Sequence, residues 1–332
     1  MVIQRKKLAI IGLGGQSRSE LIPALIKMED RCEIVAICDI NEEFVKKTKE
    51  LLPNFGKIVV YQDYKKLFNQ ISKKGSLKFD GIILSVPHFL HGEITKLAIK
   101  KGISVFKEKP FGISLQEATE ISDLAAKEGV QVYTVTKRQF YPSYAKALEL
   151  LSEKVIGLPY MYSARHFMSN GNLYEGWRSL VEFSGGGVLI DLGYHLLDVI
   201  TRYFGEAKEA NLNSSNVARP NYIYDVEDAA ALNILHSNGV YGMLQIAALS
   251  GPKEESLEIR GTEGRMIVSK KDIIMYDIAG EEINHHFFEI DSIDAVVEAL
   301  DEFISDKRSV WLENISHNMK IMRTIDRAYK KT

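Results

Sequence analysis

Short apolar runs alternate with amphipathic stretches through the first part of the chain, the pattern of a parallel sheet covered by helices. Runs at Lys7–Ile11, Glu33–Cys38, Ile58–Val60, Gly81–Ser85, Ile103–Phe106 and Val130–Thr134 predict strands. Between them Ser17–Glu29, Asn41–Leu52, a stretch from Asp63, Leu90–Lys100 and Leu115–Glu128 carry the helical period. The punctuation agrees: Asn41 suits an N-cap, Pro53 a stop, and Gly102 and Gly129 left-handed C-caps. Pro23 has no N–H to donate and predicts a kink in the first helix. After Lys137 the texture changes. Period-two alternation at Tyr160–His166, Asp228–Leu235, Val240–Ala248, Ser256–Gly261 and Met266–Lys270 predicts a largely antiparallel open sheet with one covered face. Helical segments fall at Ser143–Leu151, Gly187–Tyr203, Asp291–Ile304 and Glu313–Tyr329.

A length of 332 residues suits two domains, divided here as 1–137 and 138–332. The formal net charge of −2, with Lys, Glu and Asp intermixed, argues against a nucleic-acid partner. The basic start of the chain leads into an apolar run that Gly12 interrupts, too short for the core of a signal peptide. No stretch approaches the ~18 apolar residues that span a bilayer. The expectation is a cytoplasmic protein without a membrane partner. Cys32 and Cys38 flank one predicted strand and lack a second pair, so they read as buried thiols and no metal is expected.

Chemistry enters at the end of the first strand. Gly12, Gly14, Gly15, Gln16 and Ser17 open the first helix, with Ser17 in place of the third glycine of G-x-G-x-x-G. Glycines there allow a tight turn and let the backbone approach a pyrophosphate on the helix N-terminus. Asp39 closes the second strand, where a carboxylate accepts hydrogen bonds from a ribose and repels a 2′-phosphate. Ile40 and Asn41 follow it without a cation, which favours NAD over NADP. The first domain therefore reads as an N-terminal Rossmann fold binding NAD, ahead of a C-terminal α+β domain. Ser85, Pro87, His88 and His91 leave the fourth strand, and strand carboxyl ends are where such sheets bind ligands. These four are expected to border the cofactor. Asp191 and His195 stand four apart on the predicted helix, so the carboxylate can orient the imidazole and favour its protonated form.

Two segments carry a resemblance. Glu108, Lys109 and Pro110 end the fifth strand. Gly185, Gly186 and Gly187 lead to Asp191, His195 and Asp198. Together they resemble the Gfo/Idh/MocA family of oxidoreductases, and the resemblance extends over nearly the whole chain. It implies that Lys109 lies beside the nicotinamide and substrate, with Glu108 near the cofactor and a cis bond before Pro110. It implies that Lys109, Asp191 and His195 are catalytic. Trp177 and Arg178 resemble a substrate-loop pair of that family, and Arg138 and Tyr194 join them as candidate substrate contacts. Many members carry Arg directly before Phe140, where this chain has Gln139, which leaves the substrate open.

The function expected is hydride transfer between NAD(H) and a hydroxyl or carbonyl carbon of a sugar, cyclitol or related polyol. His195 takes the hydroxyl proton and Lys109 stabilises alkoxide character, with the nicotinamide lying across the cleft between domains. Two rivals remain: an NAD-retaining enzyme that cleaves glycosides or epimerises, and a non-catalytic NAD-binding regulator. The resemblance also implies a homo-dimer or homo-tetramer.

Overall fold

The computed structural model describes residues 5–53, 55–70, 78–169 and 175–330. Residues 1–4, the outset of the basic N-terminal stretch, lie outside them. The chain forms two units.

The first unit comprises 1–112, 116–135 and 291–316. Its strands are β1 (Lys6–Ile11), β2 (Cys32–Cys38), β3 (Val59–Tyr61), β4 (Gly81–Leu84), β5 (Ser104–Lys107) and β6 (Val132–Thr134). They pair in the order β3-β2-β1-β4-β5-β6, all parallel. The order reverses beside β1, where open sheets of this kind take their ligands. Nearly continuous burial of β1 and β4 fits strands covered on both faces. Asn41 caps the helix Glu42–Leu51 as expected, accepting from the backbone N–H groups of Glu43 and Phe44. The first helix is divided: a π turn over Ser17–Leu21 precedes the α-helix Ile22–Lys27. Pro23 sits in the first turn of that α-helix, where its missing N–H costs little.

The segment 291–316 belongs to this first unit, whereas the division of the sequence at 137/138 keeps it in the second. Side-chain contacts explain the return. Lys27 pairs with Asp291 and Asp294 at 3.1 and 2.8 Å, and Gln131 donates to the Phe303 carbonyl at 3.1 Å. Asn314 both accepts from the N–H of Thr134 and donates to its carbonyl, at 2.9 and 3.1 Å. Its amide supplies edge strand β6 with the pairing another strand would give.

The second unit comprises 113–115, 136–290 and 317–332. Its strands are β7 (Pro159–Ser169), β8 (Ala207–Ser215), β9 (Ala229–His236), β10 (Tyr241–Ala247), β11 (Leu249–Gly261), β12 (Gly264–Ser269), β13 (Asp272–Asp277) and β14 (Glu282–Phe287). They form one sheet in the order β14-β13-β12-β11-β7-β10-β9-β8, antiparallel except for β7 with β10. Alternation along β9 and β10 buries every second side chain, as the sequence period requires. Among the described residues no helix is long and apolar enough to cross a membrane.

Candidate functional site

In the first unit the glycine turn is shaped by one demand and one opening. Gly12 adopts φ +90°, and a Cβ there would lie 2.0 Å from the Ser85 carbonyl oxygen, so only glycine fits. At Gly14 and Gly15 a Cβ would meet nothing within 4 Å. The protein's own packing does not require glycine there, and the bare backbone borders open space. Ser17 replaces a glycine by turning inward: it is fully buried and its hydroxyl donates to the Gly12 carbonyl at 2.6 Å. Gln16 donates to Glu20 at 2.6 Å.

Asp39 faces this turn. Its Oδ2 accepts from the N–H of Leu13 at 2.6 Å and its Oδ1 from that of Asn41 at 2.8 Å. Each oxygen keeps a second lone pair. Ile40 is 88% exposed beside it. The guanidinium of Arg18 is held by the Leu13 carbonyl and lies 4.4 Å over the Phe44 ring. An open glycine cradle, a helix start and a strand-end carboxylate are the features that hold an adenine dinucleotide, so these residues fit the cofactor.

Ser85 and Pro87 follow β4 at intermediate exposure, with Pro87 at the N-cap of the helix His88–Lys100. His88 and His91 are buried, 5.9 Å apart in an edge-on arrangement. Burial holds His91 well below its usual pKa, and its Nε2 lies 2.9 Å from the Val86 carbonyl. The ring is therefore neutral with the proton on Nε2, bracing the turn from inside rather than facing outward. Glu108 and Lys109 are half-buried after β5, and the Lys109–Pro110 bond is cis.

In the second unit the glycine run is compelled by close neighbours. A Cβ on Gly185 would sit 2.4 Å from the Ile113 carbonyl, on Gly186 2.1 Å from the Tyr329 hydroxyl, and on Gly187 2.0 Å from the Glu227 carbonyl. The Glu227 carboxylate then satisfies the helix start. It accepts from the N–H groups of Gly187 and Leu189 at 2.9 and 3.0 Å, and from Tyr329 at 2.7 Å.

Asp191 lies in a π turn over Leu189–Gly193, and His195 begins the α-helix Tyr194–Phe204 one residue in. The continuous helix expected here is thus opened at Asp191, a distortion common at functional sites. Between Gly187 and Thr201 every residue is buried except His195. Asp198 is buried and accepts from Arg202 at 3.0 Å and His317 at 2.7 Å, so it anchors the helix.

Arg138 and Tyr194, expected to touch substrate, are taken up inside the unit. Arg138 is buried and forks onto Glu255, its Nε at 2.8 Å from Oε1, and Tyr144 donates to the same oxygen at 2.8 Å. Against the pull of burial, the Arg138 charge and hydrogen bonds hold the Glu255 carboxyl well below the usual range. Tyr194 is fully buried and donates to Asn318 at 2.7 Å. Trp177 and Arg178 remain half-exposed, the guanidinium 4.2 Å over the indole.

Sequence reasoning missed Glu255 and His166. His166 lies on β7 with its ring 6.1 Å from that of His195 and its Nδ1 donating to the Leu192 carbonyl at 3.1 Å. Burial pushes it down to about 4, so it is neutral. The one available signal was a buried-phase position: His166 falls in register with Tyr162 and Ala164.

Residues 6–136 match a family model described as an oxidoreductase family with an NAD-binding Rossmann fold, and residues 144–267 match the GFO/IDH/MocA C-terminal domain. The chain belongs to the Gfo/Idh/MocA oxidoreductase family. An oxidoreductase of Synechocystis sp. is 28% identical over 221 residues, 62% of this chain and 58% of that protein. D-apiose dehydrogenase of Paraburkholderia graminis is 25% identical over 272 residues, 80% of this chain and 68% of that protein. The chain thus spans less than two thirds of the Synechocystis relative. A structure of levoglucosan dehydrogenase with NADH and levoglucosan matches with a TM-score of 0.83 at 16% identity, over 99% of this chain and 98% of that one. At that identity the likeness concerns the fold.

Proposed function

We propose that the protein is an NAD(H)-dependent dehydrogenase acting on a hydroxyl or carbonyl carbon of a sugar, cyclitol or related polyol. The observation that carries the reading is His195, the one side chain left part-exposed between Gly187 and Thr201 on a glycine-led helix, four residues beyond a buried carboxylate. Sequence relatives named as a D-apiose dehydrogenase and an inositol dehydrogenase support the substrate class.

When bound, NAD supplies a hydride acceptor and NADH a donor. Gly14 and Gly15 would admit the pyrophosphate to the backbone, with Gln16 and Ser17 at the helix start beneath it. Asp39 would accept from the adenosine ribose through its spare lone pairs, and its charge disfavours a 2′-phosphate. Ile40, Ser85, Pro87 and Glu108 complete the cofactor's surroundings, while His88 and His91 shape the turn behind them. In the oxidative direction His195 accepts the hydroxyl proton, and Asp191 favours the imidazolium that results. Lys109 donates a hydrogen bond to the same oxygen as negative charge develops. Trp177 offers an apolar face to sugar C–H surface and Arg178 a fork to hydroxyls. Arg138 acts at one remove, by fixing Glu255. The open sheet, where Tyr160, Met161 and Tyr241 are exposed, suits a homo-dimer or homo-tetramer.

The test is a panel of aldoses, cyclitols, anhydrosugars and sugar acids with NAD, read at the NADH absorbance band, beside titration with NADH and NADPH. NADH should bind more tightly than NADPH, and at least one polyol should be oxidised. His195→Ala should lower that turnover by roughly 100-fold or more with the fold retained. Equal binding of the two cofactors, or a His195→Ala variant as active as the wild type, refutes the assignment.

A further inference from the structure

Lys107 ends β5 fully buried, at 0% exposure, and the reaction proposed above makes no use of it. An interior lysine is unfavourable because its ammonium gives up hydration that few hydrogen bonds replace. Here Nζ donates to the Phe111 carbonyl at 2.8 Å and lies 5.7 Å from the centre of the Phe111 ring. These contacts join the ends of one short stretch: Lys107, Glu108, Lys109, Pro110 and Phe111.

The near end of that stretch is already held by the sheet. The N–H of Val135 donates to the Lys107 carbonyl and the N–H of Glu108 to the Leu84 carbonyl, both at 2.9 Å. The far end is held by the Lys107 side chain, folded back beneath its own backbone. Two helices bring other ionisable groups near it. His91, on the helix His88–Lys100, has its proton affinity lowered by burial first, and then by the charges of Lys107, His88 and Lys109. Glu117, on the helix Leu115–Glu128, favours the Lys107 charge. Burial outweighs Glu117 and pushes the Lys107 amine down to about 7.

An unbranched apolar side chain such as Met would fill the same space without that penalty. A buried amine kept at the expense of stability, two residues before the lysine proposed to touch the reacting oxygen, has a use in the site. We propose that Lys107 is a positioning residue for Lys109: its side chain clamps the Glu108–Pro110 turn, so that Lys109 leaves the end of β5 in one orientation. The functional part of this inference rests on the role given to Lys109 above; the clamp itself does not.

Two variants test it. Lys107→Met keeps the length and removes the donor, and Lys107→Gln keeps an N–H donor without the charge. In Lys107→Met, amide exchange at Lys109, Phe111 and Gly112 should quicken while Glu108 and β4 are unchanged, and Tm should rise. With the polyol that the wild type oxidises fastest, kcat should fall about 10- to 100-fold, the scale of a slightly misplaced group. KM and NADH binding should stay close to wild type, and Lys107→Gln should regain most of the lost turnover. Unchanged exchange in Lys107→Met overturns the clamp. A fall in Tm together with weaker NADH binding also overturns it, by showing a lysine that merely supports the fold. If the wild type binds NADH but oxidises no polyol, the proposed function fails, while the exchange data still decide on the clamp.

Discussion

Neighbouring glycines in one turn make different demands. Gly12 combines a left-handed backbone with a 2.0 Å approach to the Ser85 carbonyl, whereas a Cβ at Gly14 would stand in open space. Gly12→Ala should therefore destabilise the protein, by on the order of 2–4 kcal/mol from backbone strain and overpacking together. Gly14→Ala should leave stability within about 0.5 kcal/mol and weaken NADH binding, because its methyl intrudes only on a ligand. Urea melts and NADH titration of the two variants separate these outcomes. Both glycines were legible in the sequence as one motif; which of them the packing requires and which it leaves open was not. Arg138 and Tyr194 show the same limit. Residue type announces what a side chain can bond, but only the packing around it decides that Arg138 meets Glu255 and Tyr194 meets Asn318.

Elements were legible wherever one face is buried and the other wet. β9 and β10 alternate cleanly and were found, as were the helices of the first unit. β8, β13 and β14 were missed, and two of them for a common reason. β8 and β14 are the edges of the eight-stranded sheet, and their side chains are mostly exposed, so no apolar alternation marks them. β13 lies inside the sheet and alternates buried Ile273 and Met275 with half-buried Ile274 and Tyr276, an apolar run with little polar contrast. The edge strand β6 of the first unit is finished by a side chain. Asn314→Ala leaves the buried N–H and carbonyl of Thr134 without their amide partner, at about 1–3 kcal/mol. Amide exchange should accelerate at Thr134 while β1 remains protected; unaltered protection at Thr134 would show that Asn314 does not complete the edge.

Across the whole molecule, ionisable groups held by partners or by burial shape the response to pH. The carboxyls of Asp198, Glu206 and Glu255 are held below their usual range, against burial, by Arg202 and His317, by Arg323 and Arg327, and by Arg138. Each contributes stability above its unfolded-state value that is lost as the pH falls toward the folded one. His166, pushed down to about 4 by burial, binds fewer protons folded than unfolded between there and about 6.5, so stability rises through that window. Lys107, pushed down to about 7, gives a second rise between there and about 10.4. Tm should thus climb from pH 3 to pH 6 in the wild type. The later rise should flatten in Lys107→Met, which has no amine to titrate at that position. An identical slope in the two proteins above pH 7 would show that Lys107 is not the group responsible.

By itself the sequence determined the local items: the strand and helix periods, the glycine turn, Asp39 at a strand end, and the glycine-led segment with Asp191 and His195. These depend on spacing of a few residues, which the chain carries directly. The tertiary structure alone decided the rest. It returned 291–316 to the first unit, brought Glu227 to the start of the Asp191 helix and Glu255 to Arg138, and buried Lys107 under the turn that bears Lys109. Those pairings join residues that have no local reason to meet, or depend on how much water the fold excludes. Both are settled by packing, which no short window of sequence contains.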